Sequence, residues 1–137
     1  MADVRRAPAL FLLSVLLLSL GLFVGCGNDD ESPAAPTIDT VPPAIPSGVS
    51  GVVHIGNDPA IYLSWEANVT DADLAGYVVY RSNTASNGYQ AVGPTMVSGN
   101  AWVDNDVDSG KTYFYRVSAR DANANESGLS QAAAMNM

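Results

Sequence analysis

The chain has 137 residues, with 14 acidic and 6 Lys or Arg side chains, and a formal net charge of −8 at neutral pH. A single cysteine excludes an internal disulfide framework. The acidic balance disfavours a phosphate backbone as ligand, so we expect no nucleic-acid partner.

An export signal is predicted over residues 1–25. Arg5 and Arg6 precede an uncharged, leucine-rich apolar stretch at residues 7–24. A basic start, an apolar centre and small residues at the end are typical of a signal peptide. A transmembrane anchor helix is the alternative, but the stretch is near the lower limit for spanning, which normally takes about 20 apolar residues. Cleavage would also remove Asp3 and leave a net charge of about −9.

The only cysteine, Cys26, stands at the border between this apolar stretch and an acidic cluster. Together with Phe23, Val24 and Gly25 it resembles the lipobox of bacterial lipoproteins. The resemblance implies cleavage between Gly25 and Cys26 and a diacylglycerol thioether on the cysteine, with palmitate-type chains. Two or more acyl chains anchor a protein stably in a membrane. A free thiol and an intermolecular disulfide are the alternatives.

The residue after the cysteine bears on location. Lipoproteins kept at the inner membrane often have Asp at that position, and Gly27 occupies it here. The resemblance therefore implies a lipid-anchored protein of the bacterial cell envelope, at the outer membrane.

A disordered acidic and proline-rich tether is predicted over residues 26–46. No hydrophobic periodicity occurs there, and prolines favour an extended chain because each fixes φ and removes a backbone donor. At about 3.1 Å per residue such a spacer reaches roughly 60 Å. The prolines of the tether are Pro33, Pro36, Pro42, Pro43 and Pro46.

Residues 47–137 consist of short alternating apolar runs separated by Gly, Asn, Asp and Ser clusters. This pattern is typical of an all-β sandwich. Seven strands are predicted, at residues 48–55, 61–65, 76–81, 89–92, 101–104, 113–119 and 129–135.

Four sequence segments resemble the fibronectin type III domain in its bacterial form: PSGV at 46–49, LSW at 63–65, LAGYVVYRS at 74–82 and YFYRVSA at 113–119. The resemblance covers residues 44–137 and implies a seven-stranded immunoglobulin-like sandwich. It also assigns four buried positions. Trp65 and Tyr77 are expected in the core, Val107 before a turn, and Tyr113 at a tyrosine corner whose hydroxyl bonds to nearby backbone.

The remaining aromatic residues have the opposite phase in their strands or lie at an edge. Tyr62, Tyr80, Tyr89 and Phe114 are therefore the candidates for contact with an unknown protein or glycan ligand.

The sequence contains no complete catalytic or metal-binding motif. Residues 109–112 resemble the end of a phosphate-binding loop, but Asn105 stands where that loop needs glycine. The acidic residues 104–110 lack the Gly and Glu of a calcium loop and predict a turn with solvated acids. Asp71 and Asp73 predict a second acidic turn. His54 is the only histidine, so we expect no zinc site, no other metal and no cofactor.

The leading hypothesis is a non-enzymatic, lipid-anchored envelope protein that displays one binding or scaffolding domain. The alternative is an accessory subunit of a surface system that binds or degrades carbohydrate. A hydrolase is the third and weakest hypothesis, because no catalytic constellation supports it.

Overall fold

A computed structural model describes residues 37–137. The predicted signal peptide, its cleavage site after Gly25 and the lipidation site at Cys26 lie outside the described residues. Seven strands make up the regular structure: β1 (Ser50–His54), β2 (Ala60–Ser64), β3 (Leu74–Ser82), β4 (Gln90–Val97), β5 (Ala101–Asp104), β6 (Thr112–Asp121) and β7 (Ala133–Asn136). Within residues 37–137 no helix is long and apolar enough to cross a membrane.

The strands form two antiparallel sheets that face each other. One sheet has three strands in the order β1-β2-β5, and the other has four in the order β4-β3-β6-β7. The prediction of an all-β, seven-stranded, immunoglobulin-like sandwich is confirmed. Alternation along each strand sends one set of side chains into the space between the sheets and the other set outward.

Most strand ends lie within two residues of their prediction, but β4 and β7 differ by more. β4 continues through Gly93 and Pro94 to Val97. Proline is tolerated there because β4 is an edge strand with a register shift opposite β3. β7 begins only at Ala133, because the hydroxyls of two preceding serines accept hydrogen bonds from β6 amides in place of backbone carbonyls. These serines are Ser127 and Ser130.

The core forms around the aromatic residues that the alternation predicts to be buried. The rings of Trp65 and Tyr77 meet edge to face, with centroids 5.3 Å apart. The Tyr113 hydroxyl accepts a hydrogen bond of 3.0 Å from the amide of Asp108, as expected for a tyrosine corner. Val107 is buried beside it. The core cluster consists of Ile61, Leu63, Trp65, Tyr77, Val79, Val107, Tyr113, Tyr115, Val117, Ala119 and Met135.

The segment before β1 packs against the sandwich. Pro43 and Pro46 are buried, and the Ala44 amide donates a 2.8 Å hydrogen bond to Oδ2 of Asp71. Further back, the backbone carbonyl of Asp39 accepts a 3.1 Å hydrogen bond from the side-chain amide of Asn125. The free tether predicted up to residue 46 therefore differs from the structure over residues 39–46, because these hydrogen bonds and buried rings hold the segment in place.

Candidate functional site

Tyr62 lies on the outer face of the three-stranded sheet. It is 50% exposed, as its phase in β2 predicts. Its neighbours in register are Val52 on β1 and Val103 on β5, so one row of apolar side chains crosses the sheet. Val52 is exposed as well. This row gives the sheet an apolar strip with one phenol in the middle.

Tyr80 faces outward from the other sheet, where it is already hydrogen-bonded. Its hydroxyl donates a 2.6 Å hydrogen bond to Oε1 of Glu126. Burial raises the pKa of Tyr80, and the nearby Glu126 carboxylate raises it further. The phenol is therefore part of the domain's own structure and is only partly accessible to a ligand.

Glu126 is the centre of this polar network, which was not predicted from the sequence. Its carboxylate also accepts hydrogen bonds from Ser118 Oγ at 2.5 Å and from Arg120 Nη2 at 2.6 Å. Burial acts to raise the pKa of Glu126, but the three donors outweigh it and hold the pKa below its usual value. An isolated bridge between Arg120 and Glu126 brings the loop after β6 back onto the sheet. The alternation of residues along a strand does not show where the following loop packs, so this contact could not be predicted from the sequence.

Tyr89 and Phe114 occupy the same outer face as Tyr80. The Arg116 guanidinium lies over the Tyr89 ring, 4.8 Å from its centroid. The Tyr89 hydroxyl donates a 2.9 Å hydrogen bond to the Ala85 carbonyl. Phe114 is half-buried between neighbouring strands. The four predicted contact residues thus fall on two opposite faces, with Tyr62 alone on one of them.

Three carboxylates meet where the N-terminal segment crosses the sandwich. Oxygen atoms of Asp39, Asp73 and Asp121 all lie within 4.8 Å of one another. Carboxylate oxygens are ligands for divalent cations, so this is the group in residues 37–137 whose chemistry could hold a metal. Asp121, however, already accepts hydrogen bonds from the amides of Asn123 and Asn125 and from the Asn125 side chain.

Two of these carboxyl groups differ in acidity. The Val41 amide donates a hydrogen bond to Asp39 and holds its pKa below the usual value, against an opposing effect of burial. A backbone hydrogen bond acts to lower the pKa of Asp73, but the hydrogen bond with Asp39, burial and the negative charges of Asp39 and Asp121 together raise it. The negative charges of the cluster thus favour the protonated form of Asp73.

Asp71 and Asp73, the two acidic residues of the second predicted turn, have different roles. Asp71 stays out of the cluster and accepts hydrogen bonds from the Ala44 amide and the Asn68 side chain, which lower its pKa in that order. Asp39 and Asp121 were not predicted from the sequence. The docked segment brings Asp39 to the cluster, whereas the pairing of β3 with β6 sets Asp121 opposite Leu74 and so beside Asp73.

The acidic residues 104–110 are not all solvated, which corrects the prediction made for them. Asp104 is 2% exposed, while Asp106 and Asp108 point to solvent. Arg81 Nη1 donates a 2.8 Å hydrogen bond to Asp104, and the Tyr115 hydroxyl donates another at 2.9 Å. The physical reason is that Asp104 is the last residue of β5 and faces the interior, where a carboxylate needs hydrogen-bond donors to offset the loss of water. His54, by contrast, is exposed at the end of β1.

No family model matches the chain. A Fn3-like protein from Clostridium thermocellum superposes with a TM-score of 0.58 at 28% identity, over 69% of this chain and 92% of that one. The sandwich is a fibronectin type III-like domain. A human fibronectin type III domain shares the fold at 16% identity, with a TM-score of 0.53 over 71% of this chain and 87% of its own.

Three curated relatives match the fibronectin type III-like domain in sequence. Chitinase Chi52 of Paenibacillus xylanexedens is 33% identical over 82% of this chain, and an alpha-amylase of Niallia circulans is 36% identical over 75%. An amylopullulanase of Thermoanaerobacter thermohydrosulfuricus is 29% identical over 72%. The chain spans only 19%, 7% and 6% of the lengths of these relatives.

Proposed function

We propose that this protein is a non-enzymatic, lipid-anchored envelope protein whose fibronectin type III-like domain serves a system that binds or degrades carbohydrate. The observation that carries the proposal is the pattern of sequence matches. Most of this chain corresponds to a small part of three carbohydrate-active enzymes. A segment that occupies so little of each enzyme is an accessory module there, because an active site needs its own set of catalytic residues.

The chemistry of the described residues supports a binding role. The lone histidine, His54, is exposed and makes no hydrogen bond with a residue in the described range. The buried polar groups of the sandwich, Asp104 above all, are bonded to structural partners. What the domain presents outward is a set of strand faces, edges and loops, which are the surfaces that β sandwiches use for binding.

The anchor rests on the lipobox resemblance and on the position of Cys26 after an apolar stretch. Acyl chains contribute about 0.8 kcal/mol for each buried CH₂, so two or more keep a protein at the membrane. A carbohydrate-binding module held there would keep a partner enzyme or its substrate near the cell surface.

The anchor is tested by intact mass spectrometry of the full chain, extracted in detergent from a bacterial host that processes lipoproteins. We expect a mature protein that begins at Cys26 and carries acyl groups. Cys26→Ala abolishes the lipid mass, whereas Gly27→Ala, directly outside the four-residue motif, retains it. A wild-type protein that keeps residues 1–25 and has no acyl group overturns the anchoring proposal.

The carbohydrate role is tested by crosslinking on intact cells of the source bacterium, followed by identification of the captured proteins. We expect an enzyme or binding protein that acts on polysaccharide. Reproducible capture of partners with no relation to carbohydrate would instead favour a general scaffolding role for the domain.

A further inference from the structure

A groove runs along the side of the sandwich where the edge strands β4 and β5 face each other. These strands belong to different sheets and are not hydrogen-bonded together, so the side of the sandwich is open there. The groove has a volume of about 530 Å³, and Trp102, Asn105 and Gly93 are among its lining residues. A second depression of about 390 Å³ shares Arg81, Val92 and Asp106 with it and extends past the loop before β4. Together they have the size of a site for a small oligosaccharide.

The indole of Trp102 forms the apolar part of this groove. Trp102 is partly buried. It packs against the hydrophobic core and against the β4 backbone at Gly93, and the rest of its side chain lines the groove. A Cβ atom at Gly93 would overlap the indole ring, and the φ of +76° there also favours glycine. The bare backbone of Gly93 therefore allows the ring to lie beside the groove, where its exposed part offers a rigid aromatic surface.

Amide side chains supply the uncharged polar part. Asn105 lines the groove near Trp102, and Asn83 and Gln90 line its continuation. All three are exposed, and none makes a side-chain hydrogen bond with a residue in the described range 37–137. An amide offers two donor hydrogens and an acceptor oxygen, which suits a ligand that presents hydroxyl groups.

The charged groups of the groove already have partners of opposite charge. Arg81 contacts Asp104 at 2.8 Å and Asp106 at 3.2 Å. Lys111 contacts Asp108 at 2.7 Å. Since each cation is paired and carboxylates are in excess, a phosphate, sulfate or other anionic ligand finds no complementary charge here. A neutral ligand does not have to break these ion pairs.

We infer that the groove between β4 and β5, together with its continuation past the loop before β4, is a binding site for a neutral glycan. A sugar ring contacts the exposed part of the Trp102 indole, and hydroxyl groups of the glycan bond to Asn105 in the groove and to Gln90 in its continuation. The apolar face of a sugar ring matches the aromatic surface, and its hydroxyls match the amides. This inference rests on the proposed carbohydrate role and adds the place and chemistry of recognition. The site differs from all four aromatic residues selected from the sequence.

The test is isothermal titration calorimetry of the full chain in detergent, with chitohexaose and maltoheptaose as separate neutral probes. We expect the wild-type protein to bind at least one of them. The double variant N105A/Q90A should weaken that binding by about tenfold or more. Its melting temperature should stay unchanged, because both side chains are exposed. Trp102→Ala should abolish binding and Trp102→Phe should retain part of it.

Tyr62→Ala is the matched control, since it removes an exposed aromatic ring from the outer face of the same sheet, and it should bind as the wild type does. The inference is overturned if the wild type binds neither probe, or if Tyr62→Ala weakens binding while N105A/Q90A does not. If Trp102→Ala fails to fold, the N105A/Q90A variant still tests the proposed glycan site. Failure here leaves the lipid mass at Cys26 and the capture of carbohydrate-related partners unchanged, so it is distinguishable from failure of the proposed function.

Discussion

The Tyr115 hydroxyl donates a 2.9 Å hydrogen bond to Oδ2 of Asp104, and this bond links the two sheets through the interior. Tyr115 belongs to β6 of one sheet and Asp104 to β5 of the other. Arg81, on β3, donates to the same carboxylate oxygen at 2.8 Å. Burial raises the pKa of Tyr115, and Asp104 raises it further, so the phenol stays a donor.

Removing this hydroxyl should destabilise the domain. Tyr115→Phe leaves a buried carboxylate with one donor fewer, which we expect to cost about 1–2 kcal/mol in the free energy of unfolding, measured by urea denaturation. Tyr89→Phe is the control, since its hydroxyl bonds an exposed carbonyl, and it should cost less than about 0.5 kcal/mol. Equal effects of the two variants would mean that the link between the sheets contributes little.

The packing of Trp65 against Tyr77 should contribute more to the stability of the domain than the hydrogen bond between Tyr115 and Asp104. We expect Trp65→Ala to lower the free energy of unfolding by about 3–5 kcal/mol, because it leaves a cavity in the core. Tyr62→Ala removes a half-exposed ring from the outer face of β2, the strand that ends just before Trp65, and should cost less than about 1 kcal/mol. A comparable loss in both variants, measured in urea, would contradict the assignment of inward and outward faces.

Glu126 should make stability depend on pH in the acid range. Its pKa is lowered in the folded state, so its hydrogen bonds stabilise the fold above the usual glutamate pKa of 4.5 and are lost as the pH falls through the folded pKa. We expect Glu126→Gln to lower the urea midpoint at about pH 7, with a difference from wild type that shrinks towards about pH 3. Asp58→Asn, in the exposed loop after β1, should shift the midpoint at neither pH. A difference from wild type that is constant with pH would show that the charge of Glu126 is irrelevant.

Asp73 should have the opposite effect. Its pKa is raised in the folded state, so the fold binds a proton more tightly than the unfolded chain does, and stability falls as the pH rises through this raised pKa. Asp73→Asn should therefore raise the urea midpoint at neutral pH, and this gain should disappear in acid. A lower midpoint at neutral pH would mean that the carboxylate of Asp73 attracts more than it repels.

The docked N-terminal segment can be followed by amide hydrogen exchange. The Ala44 amide should be protected in the wild type, because it bonds to Asp71. Asp71→Ala should speed its exchange without a matching change at β3 or β6 amides, as measured by NMR. Ala44 exchange that is equally slow in both proteins would show that Pro43 and Pro46 hold the segment without this hydrogen bond.

Strand phase made much of the core predictable. Trp65, Tyr77 and Tyr113 are buried as expected, because alternate residues of a strand must face opposite sides whatever the tertiary structure. The same rule predicted that the Tyr62 side chain is exposed to solvent, as it is. It could not tell that Tyr80 bonds to Glu126, since that contact spans 46 residues and depends on the path of a loop.

Local alternation and turn composition sufficed to predict seven strands and the inward side of β2, β3 and β6, because both follow from backbone geometry and the burial of apolar area. Chain folding alone decided three further features: the docking of residues 39–46, the meeting of Asp39 with Asp73 and Asp121, and the groove in which Trp102 lies on Gly93. Each joins residues that are distant along the chain, and their approach depends on how the two sheets and their loops pack in three dimensions.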